Sequence, residues 1–450
     1  MQGIRGDGMN RIDYARIFTV DRIVYGISTL ILLLSGVLAG KALQNIELSS
    51  FGLNESYFGY IGAIIVIISL YFVCRFFRVE TPPDIEKYEP VTIVVPAYNE
   101  EKVLEGCIEH LIEVDYPKDL LEIMIVYEPD CSDRTGEIAV SLAERYDNVY
   151  AIENHGAYQG TKAGALNLAR VYAKGKIIGV YDADHHVEKG VVRRAVGWFN
   201  LDQKIGAVDG SCSVRNRSYD LGTRFIGCEI ATGIDLIRFI EDQVVGSHFI
   251  YGSNFFIRRD VLDELGGFDP SVVGEDKEMG MRLIDRGYRI KLDLGMRSWE
   301  QVTTGFMAWW NQRKRWDRGR FQILSKYLPN LFDRGLKTNN IKRAYPFLLV
   351  QVLSYPLGLI GIGFLAFTFY VALTDPFLII FCFLPLILLF LGRSIQDMRY
   401  GMADWKDLLI SFVMPFYIYS RAFIGFKAMW EEIFSIEPRW IKTKRTEEVV

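Results

Sequence analysis

Apolar residues are concentrated in four stretches that contain no Asp, Glu, Lys or Arg, at residues 23–40, 57–73, 346–374 and 376–392. A helix needs roughly 20 apolar residues, within a range of about 17–25, to cross the hydrocarbon core of a bilayer. The alternative is a buried helix of a soluble protein, but such helices usually have about 11–12 residues and one polar face. The pattern therefore predicts membrane-spanning helices near both ends of the chain.

Positive residues beside these stretches indicate how the chain is oriented. Arginines stand before the first stretch and after the second, at Arg5, Arg11, Arg16, Arg22, Arg75 and Arg78. Because cytoplasmic segments carry an excess of Lys and Arg, we expect a multi-pass protein of the cell membrane whose long middle segment is cytoplasmic. A shorter apolar stretch at 408–420 leaves three interpretations open: a further span, a re-entrant segment or an interfacial helix.

The middle segment, from residue 85 to about 343, alternates short apolar runs with amphipathic segments. Strands are predicted at 91–96, 121–127, 148–152 and 176–181, and helices at 100–112, 135–144 and 162–172. Continuous apolar strands alternating with helices are typical of an α/β fold, with a mostly parallel sheet and helices on both faces. In such sheets ligands bind beyond the carboxyl ends of the strands.

Composition narrows the class of protein. The 450 residues carry a formal net charge of −4, with 24% charged and 50% hydrophobic residues. These values exclude a disordered chain, a collagen-like chain and a strongly basic nucleic-acid binder, so we expect no nucleic-acid partner. The six cysteines are scattered without a Cys-x-x-Cys pair, which is typical of a reduced compartment and indicates no cysteine metal site.

Acidic residues follow three of the predicted strands. They are Glu100 after the first strand, Glu128, Asp130 and Asp133 after the second, and Asp182 and Asp184 after the strand at 176–181. Carboxylates that face one crevice repel each other unless a cation lies between them. Oxygen ligands of this kind suit Mg²⁺ or Mn²⁺, which also bind substrate phosphates. The alternative for an isolated Asp-x-Asp is a solvated turn.

Two other segments carry candidate chemistry. Lys162 opens the third predicted helix, and a lysine at a helix N-terminus suits an anion, although an ordinary helix start would look the same. Glu275 and Asp276 precede a helix-like segment at 278–283, where acidic residues are also favoured by the helix dipole alone. The run at 249–254 comes before another strand-like segment, and a buried strand is its alternative.

A basic, tryptophan-rich helix follows at about 306–324. Such a helix beside a membrane stretch is typical of the membrane interface. Gln312, Arg315 and Trp316 stand at i, i+3 and i+4 and therefore share a face. An amide, a cation and an indole on one face could bind a diphosphate and stack on a sugar ring.

These motifs together resemble the membrane-embedded processive glycosyltransferases of family 2, which include cellulose, chitin, hyaluronan and poly-N-acetylglucosamine synthases. The matching motifs, in chain order, are Pro-Ala-Tyr-Asn-Glu at 96–100, Lys-x-Gly-Ala-Leu-Asn at 162–167, Asp-x-Asp at 182–184, Glu-Asp at 275–276 and Gln-x-x-Arg-Trp at 312–316. The resemblance covers the whole chain. It implies a GT-A type sheet joined to an α-helical transmembrane domain.

The same resemblance implies roles for individual residues. Asp276, next to Glu275, would be the general base, Asp184 the metal ligand, and Trp316 the residue that stacks on the acceptor sugar. Asp182 would contact the metal, the ribose or the sugar. The residues implied in binding the nucleotide sugar are Pro96, Tyr98, Glu100, Glu128, Asp130, Asp133, Lys162, Asp182, Gln312 and Arg315.

Three departures from the family pattern concern the donor base, the acceptor loop and the residue before Glu275. The family usually has an Asp-rich run after the second strand, whose Asp reads uracil, whereas this chain has Glu-Pro-Asp-Cys-Ser-Asp at 128–133. Glu128, Asp130 and Asp133 all stay open as the base-reading residue, and the base need not be uracil. Residues 300–303 also lack the usual proline, and Gly274 replaces the usual threonine before Glu275.

The resemblance implies five regions. They are an N-terminal segment with two membrane helices at 1–80, a cytoplasmic glycosyltransferase domain at 81–300, interfacial helices at 301–344, C-terminal membrane helices at 345–430 (two clear and a third expected), and a tail at 431–450.

The resulting expectation is an inverting, metal-dependent enzyme that extends a polysaccharide from a nucleotide-diphospho-sugar and moves the polymer across the membrane. Membrane lipid and an accessory subunit are further expected partners. Single transfer to a polyprenyl phosphate or another lipid acceptor is the first alternative, and an inactive sugar-binding secretion subunit is the second. A transporter is a weaker alternative, since the four apolar stretches contain no charged residue that could couple to an ion.

Overall fold

The structure is a computed structural model that describes residues 80–85, 87–156, 159–334, 377–399, 402–434 and 436. The apolar stretches predicted at 23–40, 57–73 and 346–374 lie outside these residues. The fourth stretch lies almost wholly within them, as part of a helix described below.

The first half of the sheet follows the predicted alternation closely. Its strands are β1 (Val91–Ala97), β2 (Leu121–Tyr127), β3 (Val149–Glu153) and β4 (Ile177–Val180), and its helices are α1 (Leu104–Ile112), α2 (Thr135–Arg145) and α3 (Lys162–Tyr172). A 3₁₀ turn at Lys118–Leu120 leads into β2. The strands β1 to β4 pair in parallel, in the spatial order β3-β2-β1-β4.

The second half is mixed. Its elements are β5 (His186–Val187), α4 (Val191–Leu201), β6 (Ile205–Val214), α5 (Leu221–Cys228), a π-helical turn (Glu229–Ile234), α6 (Asp235–Val245), β7 (Phe255–Arg258), α7 (Arg259–Glu264), α8 (Glu275–Asp285) and β8 (Arg289–Glu300). The full sheet has the order β3-β2-β1-β4-β7-β6-β8-β5. The strand β7 is antiparallel to both of its neighbours, and β5 is antiparallel to β8. The predicted α/β architecture is confirmed, but the sheet is mixed, because β7 and β5 run antiparallel to their neighbours.

The apolar strands are buried on both faces of the sheet. Val91, Ile93 and Val95 of β1 pack into one core with α1 and α4, whereas Val94 points the other way and packs with α3 and α8. Because side chains alternate along a strand, a continuous apolar run supplies both cores at once. This double burial fixes the sheet and holds its carboxyl edge in place.

Within the described residues, four helices follow the sheet: α9 (Phe306–Arg334), α10 (Phe377–Arg399), α11 (Trp405–Ser411) and α12 (Met414–Ile433). The stretch predicted at 376–392 forms most of α10. By length and composition, no single helix within the described ranges is sufficient to cross a membrane. The helices α11 and α12 meet the requirement only as a pair, bent by 62°.

Ion pairs connect α9 to α12. Lys314 lies 2.8 Å from Glu431, and Arg318 pairs with both Glu431 and Glu432. The indole nitrogen of Trp309 donates to the hydroxyl of Tyr417 at 2.7 Å. These contacts hold α9, which carries the Gln-x-x-Arg-Trp motif, against α12.

Candidate active site

The Asp-x-Asp motif lies at the carboxyl end of β4, in the middle of the sheet. The side chain of Asp182 forms an ion pair with Lys162, the first residue of α3. The ammonium of Lys162 also donates to the carbonyl of Gly252 at 2.6 Å, and the backbone N–H of Asp182 donates to the hydroxyl of Ser253 at 2.9 Å. Burial opposes the charge of Lys162, but Asp182, Glu275 and Asp276 raise its pKa. The loop before β7 thus joins two predicted motifs.

The second aspartate, Asp184, is buried beside the end of β8. Its carboxylate accepts the backbone N–H of Gln301 at 2.8 Å. No group of three or more His, Cys, Asp or Glu side chains that could hold a metal ion occurs within the described part of the chain. Mg²⁺ is commonly held by one or two carboxylates together with waters and substrate phosphates. The oxygen donors of Asp182 and Asp184 fit such a metal.

The Glu-Asp motif occupies the first turn of α8. Burial and the neighbouring Asp276 raise the pKa of Glu275 to about 7, while Lys162 and Arg315 act to lower it. A Cβ placed on Gly252 would lie 3.5 Å from Oδ2 of Asp276, so this aspartate faces the same loop as Lys162. Its carboxylate has no hydrogen bond or ion pair with any residue in the described ranges. Asp276 is therefore available to a substrate hydroxyl.

The three residues of the Gln-x-x-Arg-Trp motif point to different neighbours. The positive charge of Arg315 acts on Glu275, and within the described ranges its guanidinium has no hydrogen bond or ion pair. The ring of Trp316 stands edge-on to Tyr251, with 6.4 Å between ring centroids. The amide of Gln312 instead accepts a hydrogen bond from the neighbouring Arg313. Arg315 and Trp316 thus lie beside the Glu-Asp motif and the loop at 251–253, a region that we call the cleft, whereas Gln312 pairs within α9.

Two glycines bring the Glu-Asp motif against α9. A Cβ placed on Gly319 would lie 3.2 Å from the backbone nitrogen of Gly274, the residue before Glu275. Backbone therefore packs directly on backbone at this point. The close approach brings α9, which carries Arg315, near Glu275, and it leaves little room for a Cβ at position 319. A Cβ on Gly274 would instead meet its nearest atom, Cδ1 of Ile323, at an ordinary contact distance of 3.6 Å.

Substituting Gly319 with Val is expected to separate α9 from the start of α8. Overpacking of this kind typically costs about 1–3 kcal/mol, and we expect transfer activity to fall more than donor binding. Gly190→Val is the matched control, since a Cβ there meets nothing within 4 Å. Thermal unfolding and initial rates measure both effects, and equal behaviour of the two variants would contradict a tight contact at Gly319.

The residues predicted to bind the base lie at the ends of β1 and β2, where several of them already have protein partners. The carboxylate of Asp133 accepts both the N–H of Thr135, at 3.0 Å, and its hydroxyl, at 2.6 Å, at the start of α2. Glu128 is buried and accepts from Asn154 at 2.7 Å and from the N–H of Gly160 at 3.1 Å. Asp130 is exposed, and Pro96, Tyr98 and Glu100 are half-buried.

Two asparagines shape the site and were missed in the sequence. Asn99 has a positive φ of 53° and accepts from the N–H of Ser132 at 2.6 Å, which joins the first two strand ends. Asn254, with a φ of 56°, accepts from the hydroxyl of Tyr181 and donates to the carbonyls of Ser211 and Met296. Asparagine is among the few residues that adopt this conformation readily. The signal that the sequence offered was an asparagine next to a strand: Asn99 follows the first strand, and Asn254 directly precedes β7.

A buried charge network behind α9 was also missed. Glu229, in the π-helical turn, accepts from Arg313 at 2.8 Å, from the hydroxyl of Tyr417 at 2.7 Å and from Arg421 at 2.5 Å. Burial alone would raise the pKa of Glu229, but the charges of Arg313 and Arg421 lower it to about 2. The guanidinium of Arg313 also lies 4.1 Å from the ring centre of Trp316. Through Arg313, the network therefore contacts Trp316, the residue predicted to stack on the acceptor sugar.

Comparison with known proteins agrees with this geometry. The family described as "Glycosyl transferase family group 2" matches residues 177–392. The Bacillus subtilis protein "Probable glycosyltransferase YdaM" is 31% identical over 377 residues, which cover 79% of this chain and 86% of the relative.

Two other groups of relatives match over the middle of the chain. A "Beta-monoglucosyldiacylglycerol synthase" of Synechocystis is 30% identical over 59% of this chain and 55% of its own length. A "Poly-beta-1,6-N-acetyl-D-glucosamine synthase" of Staphylococcus aureus is 29% identical over 54% of this chain and 58% of its own length. Both matches thus span little more than half of the relative. Among solved structures, a mannosyltransferase of Pyrobaculum calidifontis in complex with GDP-Man and Mn²⁺ is 20% identical, with a TM-score of 0.46, over 83% of this chain and 99% of its own.

Proposed function

The chain belongs to the family 2 glycosyltransferases, and from this premise we propose that it moves a sugar from a nucleotide-diphospho-sugar to the hydroxyl of a growing polysaccharide. The observation that carries the proposal is the grouping at one cleft of Asp182, Lys162, Arg315 and Asp276. The Asp276 carboxylate has no ion pair among the described residues. An alcohol nucleophile needs a positioned base, and a diphosphate leaving group needs positive charge. The cleft supplies both.

In the proposed reaction, Asp276 accepts the proton of the acceptor hydroxyl. The hydroxyl oxygen forms a bond to the anomeric carbon as the bond from that carbon to the diphosphate oxygen breaks. Because the attack is direct and from the opposite side, the configuration at the anomeric carbon inverts. Arg315 and Lys162 stabilise the negative charge that develops on the nucleoside diphosphate, and Trp316 stacks on the acceptor sugar.

We assign the divalent cation, Mg²⁺ or Mn²⁺, to Asp184 and Asp182. When bound, the ion neutralises charge on the donor diphosphate. Asp184 is oriented for this task by its hydrogen bond from Gln301. The ion pair with Lys162 holds Asp182 toward the cleft and places a second positive group beside the diphosphate.

We further propose that the enzyme acts at the cytoplasmic face of the cell membrane and passes the polymer through its membrane helices. Large apolar side chains are exposed along α11 and α12, at Trp405, Leu409, Phe412, Phe423, Phe426, Trp430 and Ile433. Exposure of many large apolar side chains is typical of contact with lipid or another protein. An accessory subunit is the protein partner that would fit the same surface.

The proposal is tested by the size of the product. Membrane vesicles that contain the full chain are given a panel of labelled nucleotide sugars with Mn²⁺ or Mg²⁺, and a parallel sample contains EDTA. We expect long polymer from one donor and no transfer in EDTA. Product of one or two sugars would contradict chain extension, and full activity in EDTA would contradict a metal role.

The second candidate function is transfer of a single sugar to a lipid. The relative that makes β-monoglucosyldiacylglycerol supports this alternative, and so does the apolar surface of α11 and α12. The vesicle experiment separates the two candidates, because a lipid product partitions into organic solvent and carries one sugar, whereas a polymer stays in the aqueous phase.

Arg315→Gln is expected to lower kcat by about 10²–10³, the usual effect of losing one group that stabilises transition-state charge. Its guanidinium has no partner within the described ranges, so its removal leaves no buried charge behind. Arg286→Gln is the control, since Arg286 pairs with Glu264 at 3.4 Å on the exposed far end of α8. Steady-state rates at saturating donor make the measurement, and an unchanged kcat would remove Arg315 from the reaction.

A further inference from the structure

Asn167 is the last residue of the Lys-x-Gly-Ala-Leu-Asn motif that Lys162 begins. It lies in the middle of α3, and only 8% of the residue is exposed. Its amide nitrogen donates to the carbonyl of Phe268 at 2.7 Å, and its amide oxygen accepts the N–H of Phe268 at 2.7 Å. Both hydrogen bonds therefore go to the backbone of one residue that is distant in sequence.

An asparagine is an unfavourable residue for the buried face of a helix. Its helix propensity is lower than that of alanine, and an amide that is buried without hydrogen bonds costs free energy. The other α3 residues in this core are apolar, and most of them are small: Ala163, Ala165, Leu166 and Ala169. The backbone of Phe268 is thus the partner that makes a polar side chain tolerable at this position.

The segment that Asn167 holds leads to the proposed base. Phe268 lies in the segment 265–274, which connects α7 to α8 and continues directly into Glu275 and Asp276. Near the other end of this segment, the N–H of Val273 donates to the amide oxygen of Gln322 on α9 at 2.9 Å. The segment is therefore held by α3 near its start and by α9 near its end. These two contacts restrict where α8 begins, and with it the carboxylate of Asp276.

The same helix contacts the residues assigned to the donor. Lys162 pairs with Asp182 and donates to the carbonyl of Gly252 at 2.6 Å. Because an α-helix rises about 1.5 Å per residue, Lys162 and Asn167 are about 7.5 Å apart along the axis of α3. One helix therefore links the donor side of the cleft to the segment that leads to the base.

Gly267 allows the segment to approach Asn167 this closely. Its φ is 85°, and a Cβ placed on it would collide with the amide oxygen of Asn167. The preceding Gly266 has a φ of 80°, but a Cβ there would meet nothing within 4 Å. An alanine is strained at either position, but it would disturb Asn167 only from position 267.

We propose that Asn167 is a positioning residue that sets the place of Asp276 relative to the donor held by Lys162 and Asp182. This inference rests on the proposed function, because it takes Asp276 as the general base. Asn167 acts through the segment 265–274 and exchanges no proton with the substrate. A misplacement of about 1 Å can lower a rate by about 10²-fold, so a small shift of this segment is sufficient to impair transfer.

The first test uses Asn167→Leu, which removes both hydrogen bonds and keeps a side chain of similar size. In membrane vesicles that contain the full chain, we expect kcat to fall by about 10- to 100-fold while the donor KM stays within about twofold. Asn148→Leu is the control, since the amide of Asn148 donates to the carbonyl of Leu121 at 3.1 Å, at the amino end of β2 and away from the cleft. This control should keep the wild-type kcat even where its unfolding temperature falls. A wild-type kcat in Asn167→Leu, or a loss confined to the donor KM, overturns the proposal.

Two glycine variants disturb the same contact from its other side and serve if Asn167→Leu does not fold. Gly267→Ala is expected to reproduce the loss of kcat, and Gly266→Ala is expected to show much less of it. Equal losses in the two variants would overturn the proposal, because backbone strain alone would then explain them.

A double-mutant cycle separates positioning of the base from general stabilisation. If Asn167 acts through Asp276, adding Asn167→Leu to Asp276→Asn should lower the single-turnover rate by less than about twofold, because coupled residues are not additive. The same fold-loss in both backgrounds would overturn the proposal. Product size tests the proposed function separately: a product of one sugar contradicts chain extension, whereas the ratio of the kcat values still decides the role of Asn167.

Discussion

Asp276→Asn is expected to lower kcat by about 10²–10⁴, the usual contribution of a general base, while the donor KM stays within twofold. The amide has the same shape as the carboxylate but cannot accept the proton of the acceptor hydroxyl. The carboxylate has no hydrogen bond or ion pair within the described ranges, so the substitution disrupts no internal contact. Single-turnover rates with labelled donor make the measurement.

Two variants keep this prediction decisive. Asp285→Asn, at the other end of the same helix, should leave the rate unchanged. Glu275→Gln tests the neighbouring acid, whose pKa is raised to about 7 by burial and by Asp276. If Asp276→Asn retains the wild-type rate and Glu275→Gln loses it, the base is Glu275. The inactive secretion subunit predicts no rate to lose in any of the three variants.

Glu229→Ala is expected to destabilise the protein by about 3–5 kcal/mol, because it leaves two buried guanidinium groups without their shared carboxylate. The groups are those of Arg313 and Arg421, at 2.8 Å and 2.5 Å from Glu229. Activity should fall with stability, because Arg313 of α9 loses its carboxylate partner and this arginine lies beside Trp316. Thermal unfolding of the detergent-solubilised chain and donor binding provide the two measurements.

The matched control is Glu137→Ala, which removes an exposed pair with Arg134 and should change stability by no more than about 1 kcal/mol. Combining Glu229→Leu with Arg313→Met should recover part of the loss, because a buried ion pair can be replaced by apolar residues. A Glu229→Ala variant as stable as the control would show that the network contributes little.

The pH dependence of stability in acid provides an independent test of the role of Glu229. Its pKa is about 2 in the folded protein and near its ordinary value in the unfolded chain. Its stabilising contribution is therefore complete above the ordinary value and is lost as the pH falls toward 2. Wild-type stability should decrease through this window, and Glu229→Ala should lack that part of the decrease.

Local sequence predicted the first four strands and three helices because their burial is simple. A parallel strand that is covered on both faces must be apolar throughout, as in β1 and β2, and the helices between show one apolar face. The strand β6 escaped notice, since it carries the buried polar residues Asp209, Ser211 and Ser213. Arg238 of α6 donates to Asp209 at 2.8 Å, and Ser211 donates to Asp235 of α6 at 2.6 Å. Such partners cannot be recognised from the sequence of the strand alone.

In the candidate site, too, some features were predicted from local sequence and others depend on the fold. Asp182, Asp184, Glu275 and Asp276 could be chosen because each stands at the end of a strand or the start of a helix. Their roles stay predictions, but the structure brings Asp182 and the Glu-Asp pair to the same loop at Gly252 and Ser253. Position in the α/β fold pointed to Asp182 and Asp184, whereas the role expected of Glu275 and Asp276 came from the resemblance to the glycosyltransferase family.

The sequence by itself determined the enzyme class, the strand-end carboxylates and the basic helix around Arg315. Only the tertiary structure decided which of these cations is free and which is structural. Arg313 and Arg315 are two residues apart in one basic run, yet Arg313 is fully buried against Glu229 and Arg315 has no ion pair within the described ranges. Glu229 is 84 positions from Arg313 and 192 from Arg421. The charge state and task of a cation depend on the carboxylates that folding brings beside it, and residues so distant in sequence leave no local pattern.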